Sequence, residues 1–471
     1  MNIVTVGFRQ DFIAEGVRQG LTIPLAIYHG KWKVPIPGTD AFTHKTLHTD
    51  FADSFAPDLP RDVAETARRE GFLPYLRAYY RYNRRKLWRS ESWLDVNNHF
   101  ENAVQYFWNL IRDRKIDLVL FHDIPHSGSA IVLYHLAHAA GIKVLILRQS
   151  HFPEFFWAVE RVEDLGMGSF VSGQGAEIPI DENPVSPFYM HGKKKMSRSE
   201  YLKDMTRHGL GMLGSTLILE FLWHYRGYRK AILRMSHTHR KYKNQKRYQS
   251  SGPPPSLDEK FVYFPLHYQP EMTTDIIGGP YFDQVRAIEE VARALPDDIL
   301  IYVKENPQQA AYMRDESFFT RLKAIPSVRL VPLETSTFDL IHKSVAVTTI
   351  TGTAGWEAVQ TGKPVICFGN PWYRGLPGIF EWRKNPETAV ADALAFTPDR
   401  AAFAAAVQDM ATRLWGGAVD KLFADQVEGL DVDANNRKVI ANTRLIIEQL
   451  TSESPSPALS VVARKPASGA A

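Results

Sequence analysis

Two separate stretches of this chain alternate short apolar runs with helical patterns of apolar spacing, and that alternation leaves few folds open. Near the N-terminus, residues 2–7 form a short apolar run and 12–19 a helical pattern. Further on, 117–121 reads as a strand, 129–140 as a helix stopped by Gly141, and 143–147 as the next strand. Strand, helix and strand with short connections make a βαβ unit, and βαβ units build parallel sheets. The same grammar returns after residue 258. Strands are expected at 261–266, 299–304, 328–332, 344–349 and 364–369, with helices near 282–294, 310–324, 338–343 and 355–361. The expected fold class is α/β, with two Rossmann-like doubly wound domains facing a cleft (a GT-B-like arrangement) and a basic helical insertion between them.

A length of 471 residues is too long for one ordinary core, which agrees with two domains. The expected boundaries are an acceptor-side domain at 1–182, a basic helical insertion and Pro-rich linker at 183–257, and a nucleotide-sugar domain at 258–400. C-terminal helices at 401–451 and a disordered Ser/Pro/Ala-rich tail at 452–471 follow. Residues 75–93 are rich in Arg and Tyr and read as a partly exposed helix.

Charge is unevenly spread. Residues 193–247 hold fifteen Lys and Arg against three acids, an excess of twelve positive charges in a chain of net charge +4, so the remainder carries −8. One basic module on an otherwise acidic chain points to an anionic partner. Cationic residues mixed with Leu213, Leu217, Phe221 and Trp223 suit an anionic membrane surface or an acidic glycan, and equally a solvated interdomain face. Nucleic acid is not expected, because no recognisable binding motif accompanies the charge.

The single cysteine, Cys367, rules out an internal disulfide framework and a Cys-based zinc cluster. The first residues lack a charged segment followed by an apolar one, and no window offers roughly 18–20 uninterrupted apolar residues. The expected location is cytoplasmic, with peripheral contact to the inner membrane through the basic module.

Ligands bind open α/β sheets at the carboxyl ends of the strands, so residues just past each strand carry the chemistry. The run from Thr349 to Ala358, TITGTAGWEA, follows one strand and opens a helix. Gly352 and Gly355 permit close backbone approach, Thr351 and Thr353 add hydroxyls, and the free amides of the first helical turn suit a phosphate. Glu357 is expected in that first turn, within reach of a ribose diol; a well-capped helix packed on the sheet explains the same residues. Lys304, ending an earlier strand in KENP, can neutralise a phosphate as a point charge. His267, Gln269 and Glu271 share one loop past the first strand of this domain, and His267 and Glu271 are candidates for proton transfer. In ETST, Ser336 and Thr337 either cap a helix or bind phosphate.

The ordered set YFPLHYQPE, VKENP, ETST and TGTAGWEAVQTGKPVICFG resembles the capsule polysaccharide biosynthesis family, over roughly 261–373. That family includes transferases that place Kdo residues on capsular polysaccharide linkers. The resemblance implies a GT-B fold with a nucleotide-sugar donor, typically CMP-linked, held as substrate in the C-terminal domain, with no permanently bound cofactor. Relatives commonly read Lys-Glu-His-Pro in the second loop, their His touching the donor phosphate. Here Asn306 stands in that place: it can donate a hydrogen bond but neither carries charge nor shuttles a proton. A polyol-phosphate transferase using a CDP-linked donor, and a non-catalytic assembly or export partner, remain as alternatives.

In the first domain, Asp123 and His126 follow the strand 117–121, placed to deprotonate a hydroxyl of a glycan or lipid-linked acceptor. Arg9, Gln10, Arg148, Gln149 and His151 lie past neighbouring strands. No D-x-D pair follows a donor-domain strand, so no metal is expected.

Overall fold

In the computed structural model the chain is described over residues 1–28, 32–43, 54–84, 92–168, 170–172, 176–181, 197–217, 256–269, 271–309, 314 and 316–452, with isolated positions between 232 and 248. It divides into two compact units, Met1–Ile178 with Ala405–Ala471, and Pro179–Ala404.

The first unit is built on a seven-stranded sheet. Its strands are β1 (Asn2–Val6), β2 (Thr22–Tyr28), β3 (Asp40–Thr43), β4 (Leu118–Phe121), β5 (Lys143–Gln149) and β6 (Phe155–Val159), joined by a late strand, β13 (Leu414–Gly416). The order across the sheet is β13-β6-β5-β4-β1-β2-β3. Pairings from β3 through β5 are parallel, while β6 and β13 add antiparallel edges. All four residues of β4, LVLF, are buried, as expected of a parallel strand covered on both faces.

The late strand carries the chain end back to this unit. Leu414 pairs with Trp157, and the helix Val432–Ser452 then lays Val439, Ile440, Ile446 and Leu450 into the core with Ile3, Phe12 and Ile13. Helices Arg400–Ala411 and Val432–Ser452 lie in this segment, and from Ala405 onward it is part of the first unit. Gln149 secures the return. Its Oε1 accepts from the amides of Val419 (2.9 Å) and Asp420 (3.1 Å), and its Nε2 donates to the carbonyls of Phe152, Pro153 and Phe155.

The second unit holds a six-stranded, all-parallel sheet. Its strands are β7 (Phe261–Pro265), β8 (Leu300–Lys304), β9 (Val328–Val331), β10 (Ala346–Thr349), β11 (Val365–Cys367) and β12 (Ile379–Glu381). The order β12-β11-β10-β7-β8-β9 steps outward from β7 in one direction, then reverses at β10 and steps outward in the other. Helices Gln284–Ala294 and Ala389–Ala395 bury Val285, Ile288, Val291 and Val390 against Val262, Phe264, Ile301 and Ile366.

Much of the basic module lies outside the described residues, as do the prolines at 253–255 and the tail from 453 onward. Its described part includes the helix Arg198–Leu217, with Tyr201 stacked on Tyr242 (4.4 Å between ring centroids) and Thr238 donating to Asp204 (2.6 Å). Tyr248, within the same second unit, is buried, donates to the carbonyl of Val331 and accepts from the amide of Glu305 (3.0 Å). Among the described residues, no helix is long and apolar enough to cross a membrane.

Candidate functional site

Strand order reverses between β7 and β10, the place where open α/β sheets bind ligands at strand carboxyl ends, and loops past both strands meet there. The imidazole of His267, past β7, accepts a hydrogen bond at Nε2 from the amide of Thr351, past β10 (3.1 Å). His267 is buried, and burial together with the nearby Arg314 charge lowers its pKa to about 4, against a raising contact from Gln284. It is a neutral brace between two loops. The proton-transfer role expected of it does not fit a ring whose lone pair is already engaged and whose charged form is disfavoured. The loop triplet also splits. His267 and Gln269 turn inward, whereas Glu271 is exposed and accepts at Oε2 from the Thr273 hydroxyl (2.9 Å).

The glycine turn differs in detail from its sequence reading. The helix runs Thr353–Gln360, so Glu357 lies in its second turn and is only 7% exposed. Its contact is the Thr353 hydroxyl, and burial pushes its carboxyl up to about 7 against that bond. A buried carboxyl beneath the turn is not placed as a ribose ligand. Thr351 spends its hydroxyl on the carbonyl of Thr273 (3.0 Å), and the amide of Gly352 donates to Thr349 Oγ1 (3.1 Å).

Gly352 and Gly355 are small for internal reasons. A Cβ at Gly352 would meet His267 Nε2 at 2.9 Å, and one at Gly355 would meet Tyr373 Cζ at 2.8 Å. The Tyr373 hydroxyl donates to the carbonyl of Gly352 (2.6 Å), while the Gly355 amide is used on the same carbonyl (3.1 Å). No described residue accepts from the amides of Thr353 and Ala354, and Gly352 and Thr353 are half-buried. The free donors of this turn are thus fewer than the glycines suggested.

Past β8, Lys304 is 9% exposed, and its ammonium donates to the carbonyl of Thr335 (2.6 Å) and to Thr337 Oγ1 (2.9 Å). Burial pulls its pKa down to about 8, partly offset by Glu334. Thr337 also bonds the Tyr263 hydroxyl, which feels the charge of Glu357. Lys304, half-buried Thr337 and buried Tyr263 are therefore linked by hydrogen bonds, and Glu357 acts on Tyr263 through its charge. Ser336 caps the helix Thr337–Lys343, its side chain accepting from the amide of Asp339 (3.2 Å), which is the capping alternative. Asn306 is half-buried; its Oδ1 accepts from the amide of Gln308 (2.9 Å), directing the Nδ2 hydrogens elsewhere.

Arg314, Gln284, Tyr263 and Tyr373 were not singled out by the sequence, and each holds a motif loop in place. Tyr263 begins the run YFPLHYQPE, whereas no local pattern marks the other three, whose partners lie elsewhere in the chain.

In the first unit, Gly7, at φ +86°, turns the chain after β1 and sets Phe8 edge-on to His122 (5.4 Å). Asp123 accepts from Arg148 Nη1 (2.7 Å) and from the amide of Ile124 (2.6 Å). Burial opposes ionisation, but Arg148, His126, His122 and the Ile124 amide together hold its carboxyl below the usual range. That makes Asp123 a carboxylate with weakened basicity. His126 Nδ1 lies 2.7 Å from the carbonyl of Ile124, so Nδ1 is the donor and Nε2 carries the lone pair of the neutral ring. Arg9 pairs with Asp11, and Gln10 binds the backbone of Lys33 and Val34. Gln149 is consumed by the chain return, and burial lowers the pKa of His151. Among the described residues, no group of three His, Cys, Asp or Glu could hold a metal ion.

Residues 228–414 match the family model described as capsule polysaccharide biosynthesis protein. Among solved structures, the chain is similar to KpsC of Thermosulfurimonas dismutans, titled a β-Kdo 2,7-transferase, at 12% identity over 79% of this chain and 96% of that one, with a TM-score of 0.30. The β-Kdo 2,4-transferase of the same KpsC is similar at 15% identity over 55% and 71%, with a TM-score of 0.27. A UDP-forming α,α-trehalose-phosphate synthase from Burkholderia vietnamiensis is similar at 11% identity over 96% and 98%, with a TM-score of 0.28. No curated protein matches the chain.

Proposed function

From a chain whose residues 228–414 match the capsule polysaccharide biosynthesis family, we propose that the protein is a glycosyltransferase of bacterial surface-polysaccharide assembly using a nucleotide-activated, CMP-linked sugar. Kdo or a related acidic sugar is the donor moiety, and a glycan or lipid-linked glycan the acceptor. The observation that carries this reading is the polar cluster of Lys304, Thr337, Tyr263 and Glu357, in which Lys304 ends β8 and Glu357 is buried in the helix after β10. Perturbed titratable groups at strand ends of an open α/β sheet mark functional sites.

The chemistry follows from charge. As the acceptor oxygen bonds to the anomeric carbon, the bond from that carbon to the phosphate oxygen breaks, and the nucleotide leaves with the electron pair. Lys304 and the amides of Thr353 and Ala354 meet the developing negative charge with fixed donors. Asn306 adds a neutral donor through Nδ2. On the first unit we assign the acceptor's proton to His126 Nε2, with the Asp123 carboxylate stabilising the resulting imidazolium. The basic module 193–247 is assigned to an anionic membrane surface on the cytoplasmic side, beside a lipid-linked acceptor, each cation there contributing about 1 kcal/mol.

A donor screen tests the assignment. CMP should raise the melting temperature, and CMP should be released from CMP-Kdo or CMP-sialic acid once acceptor is present. Release from CDP-glycerol instead would make the protein a polyol-phosphate transferase, and binding without turnover an assembly partner. His126→Gln should lower kcat while leaving CMP affinity unchanged.

A further inference from the structure

Arg314 is 2% exposed and lies outside every motif read from the sequence. Each of its guanidinium nitrogens has a partner. Nε pairs with Glu305 Oε2 (3.0 Å), Nη2 donates to the carbonyl of His267 (2.8 Å), Nη1 donates to Gln269 Oε1, and its face lies over the Phe318 ring at 4.4 Å. Glu305 Oε1 in turn accepts from the amide of Asn306 (2.8 Å). One side chain thus ties the loop past β7 to the loop past β8. Through the His267 imidazole on the Thr351 amide, the loop past β10 is tied in as well.

Stability is a poor explanation for this arrangement. Desolvating a guanidinium and a carboxylate roughly cancels their attraction, and apolar replacements of similar volume are often as stable or more so. What an Arg fork supplies that apolar packing cannot is several donors in one rigid plane. We propose that Arg314 is a positioning residue of the nucleotide site: it acts through Glu305 and His267 to set Asn306 and the Thr351–Thr353 turn at the spacing a phosphate requires. This inference rests on the nucleotide-donor reading above.

Two variants test it in the full chain, Arg314→Lys and the double variant Arg314→Met with Glu305→Met. CMP is the probe, and ¹⁵N-histidine spectra follow His267, assigned by comparison with His267→Gln. The double variant should melt near the wild-type temperature yet bind CMP at least tenfold more weakly, and the Nε2 signal of His267 should lose its hydrogen-bonded shift. Arg314→Lys, which keeps the charge without the fork, should recover little of that affinity. A double variant with wild-type CMP affinity and an unchanged His267 signal overturns the proposal. Unfolding of both variants also overturns it, since the pair would then be a stability element. If the wild type binds no CMP, the donor reading fails on its own, and the His267 signal still decides whether Arg314 holds the loops in register.

Discussion

Replacing Gly355 by alanine separates two explanations of the glycine turn. If the glycine exists for close approach of a ligand, the variant folds normally and loses nucleotide. The structure supports a different outcome. A Cβ at Gly355 would stand 2.8 Å from Tyr373 Cζ and 3.1 Å from Thr349 Cγ2, and closer still to the Tyr373 hydroxyl. Tyr373 is fully buried and cannot swing outward without giving up its bond to the Gly352 carbonyl. Overpacking of this kind costs about 1–3 kcal/mol, and the lost hydrogen bond adds about 1 kcal/mol. The better helix propensity of alanine returns about 1 kcal/mol. A net loss of about 2 kcal/mol in a unit of this size lowers the melting temperature by roughly 4–8 °C. Differential scanning calorimetry measures it, with Gly209→Ala as the control, because a Cβ at Gly209 meets nothing within 4 Å. Adding Tyr373→Phe to Gly355→Ala should recover part of the loss. A Gly355→Ala protein that melts with the wild type while failing to bind CMP would refute this packing argument.

Glu357, with its carboxyl raised to about 7 from an ordinary 4.5, costs stability as pH climbs through that window, by roughly 3 kcal/mol once ionised. Glu357→Gln should therefore melt above the wild type at pH 8 and with it at pH 4.5; equal melting at both values would contradict the burial argument. His135, His138 and His267 have pKa values lowered to about 4 by burial, so the unfolded chain binds their protons first as pH falls from 6.5. Stability should drop between pH 6.5 and 4, by up to roughly 3 kcal/mol per histidine. Urea midpoints at pH 7.5 and 5 would show it, and His135→Gln should flatten the slope. Replacing several cations within 193–247 by Gln should reduce sedimentation with anionic liposomes, and a wild type that never sediments would remove the membrane assignment.

The α/β class was legible because parallel strands buried on both faces read as short apolar runs, as in LVLF at 118–121 and FVYF at 261–264. The order of motifs past β7, β8, β9 and β10 was legible for the same reason: each sits where a strand must end. Several elements were not. β13 has only three residues, and nothing local in Leu-Trp-Gly says that it pairs with β6 more than 250 residues earlier. β2 carries Pro24 inside its run, and the amphipathic helix Trp93–Asp113 begins at a capping box on Ser92 and Asp95.

Residue types and their spacing thus determined which side chains arrive at the strand ends. The tertiary structure decided which of them remain available. His267 Nε2 and the Thr351 hydroxyl are taken by partners from other parts of the fold, Ser336 is taken by the helix it caps, and Gly355 is filled from outside by Tyr373. Lys304 and Glu357 have perturbed pKa values because burial strips their water. Desolvation and long-range hydrogen bonding depend on neighbours brought together by folding, and no window along the chain contains those neighbours.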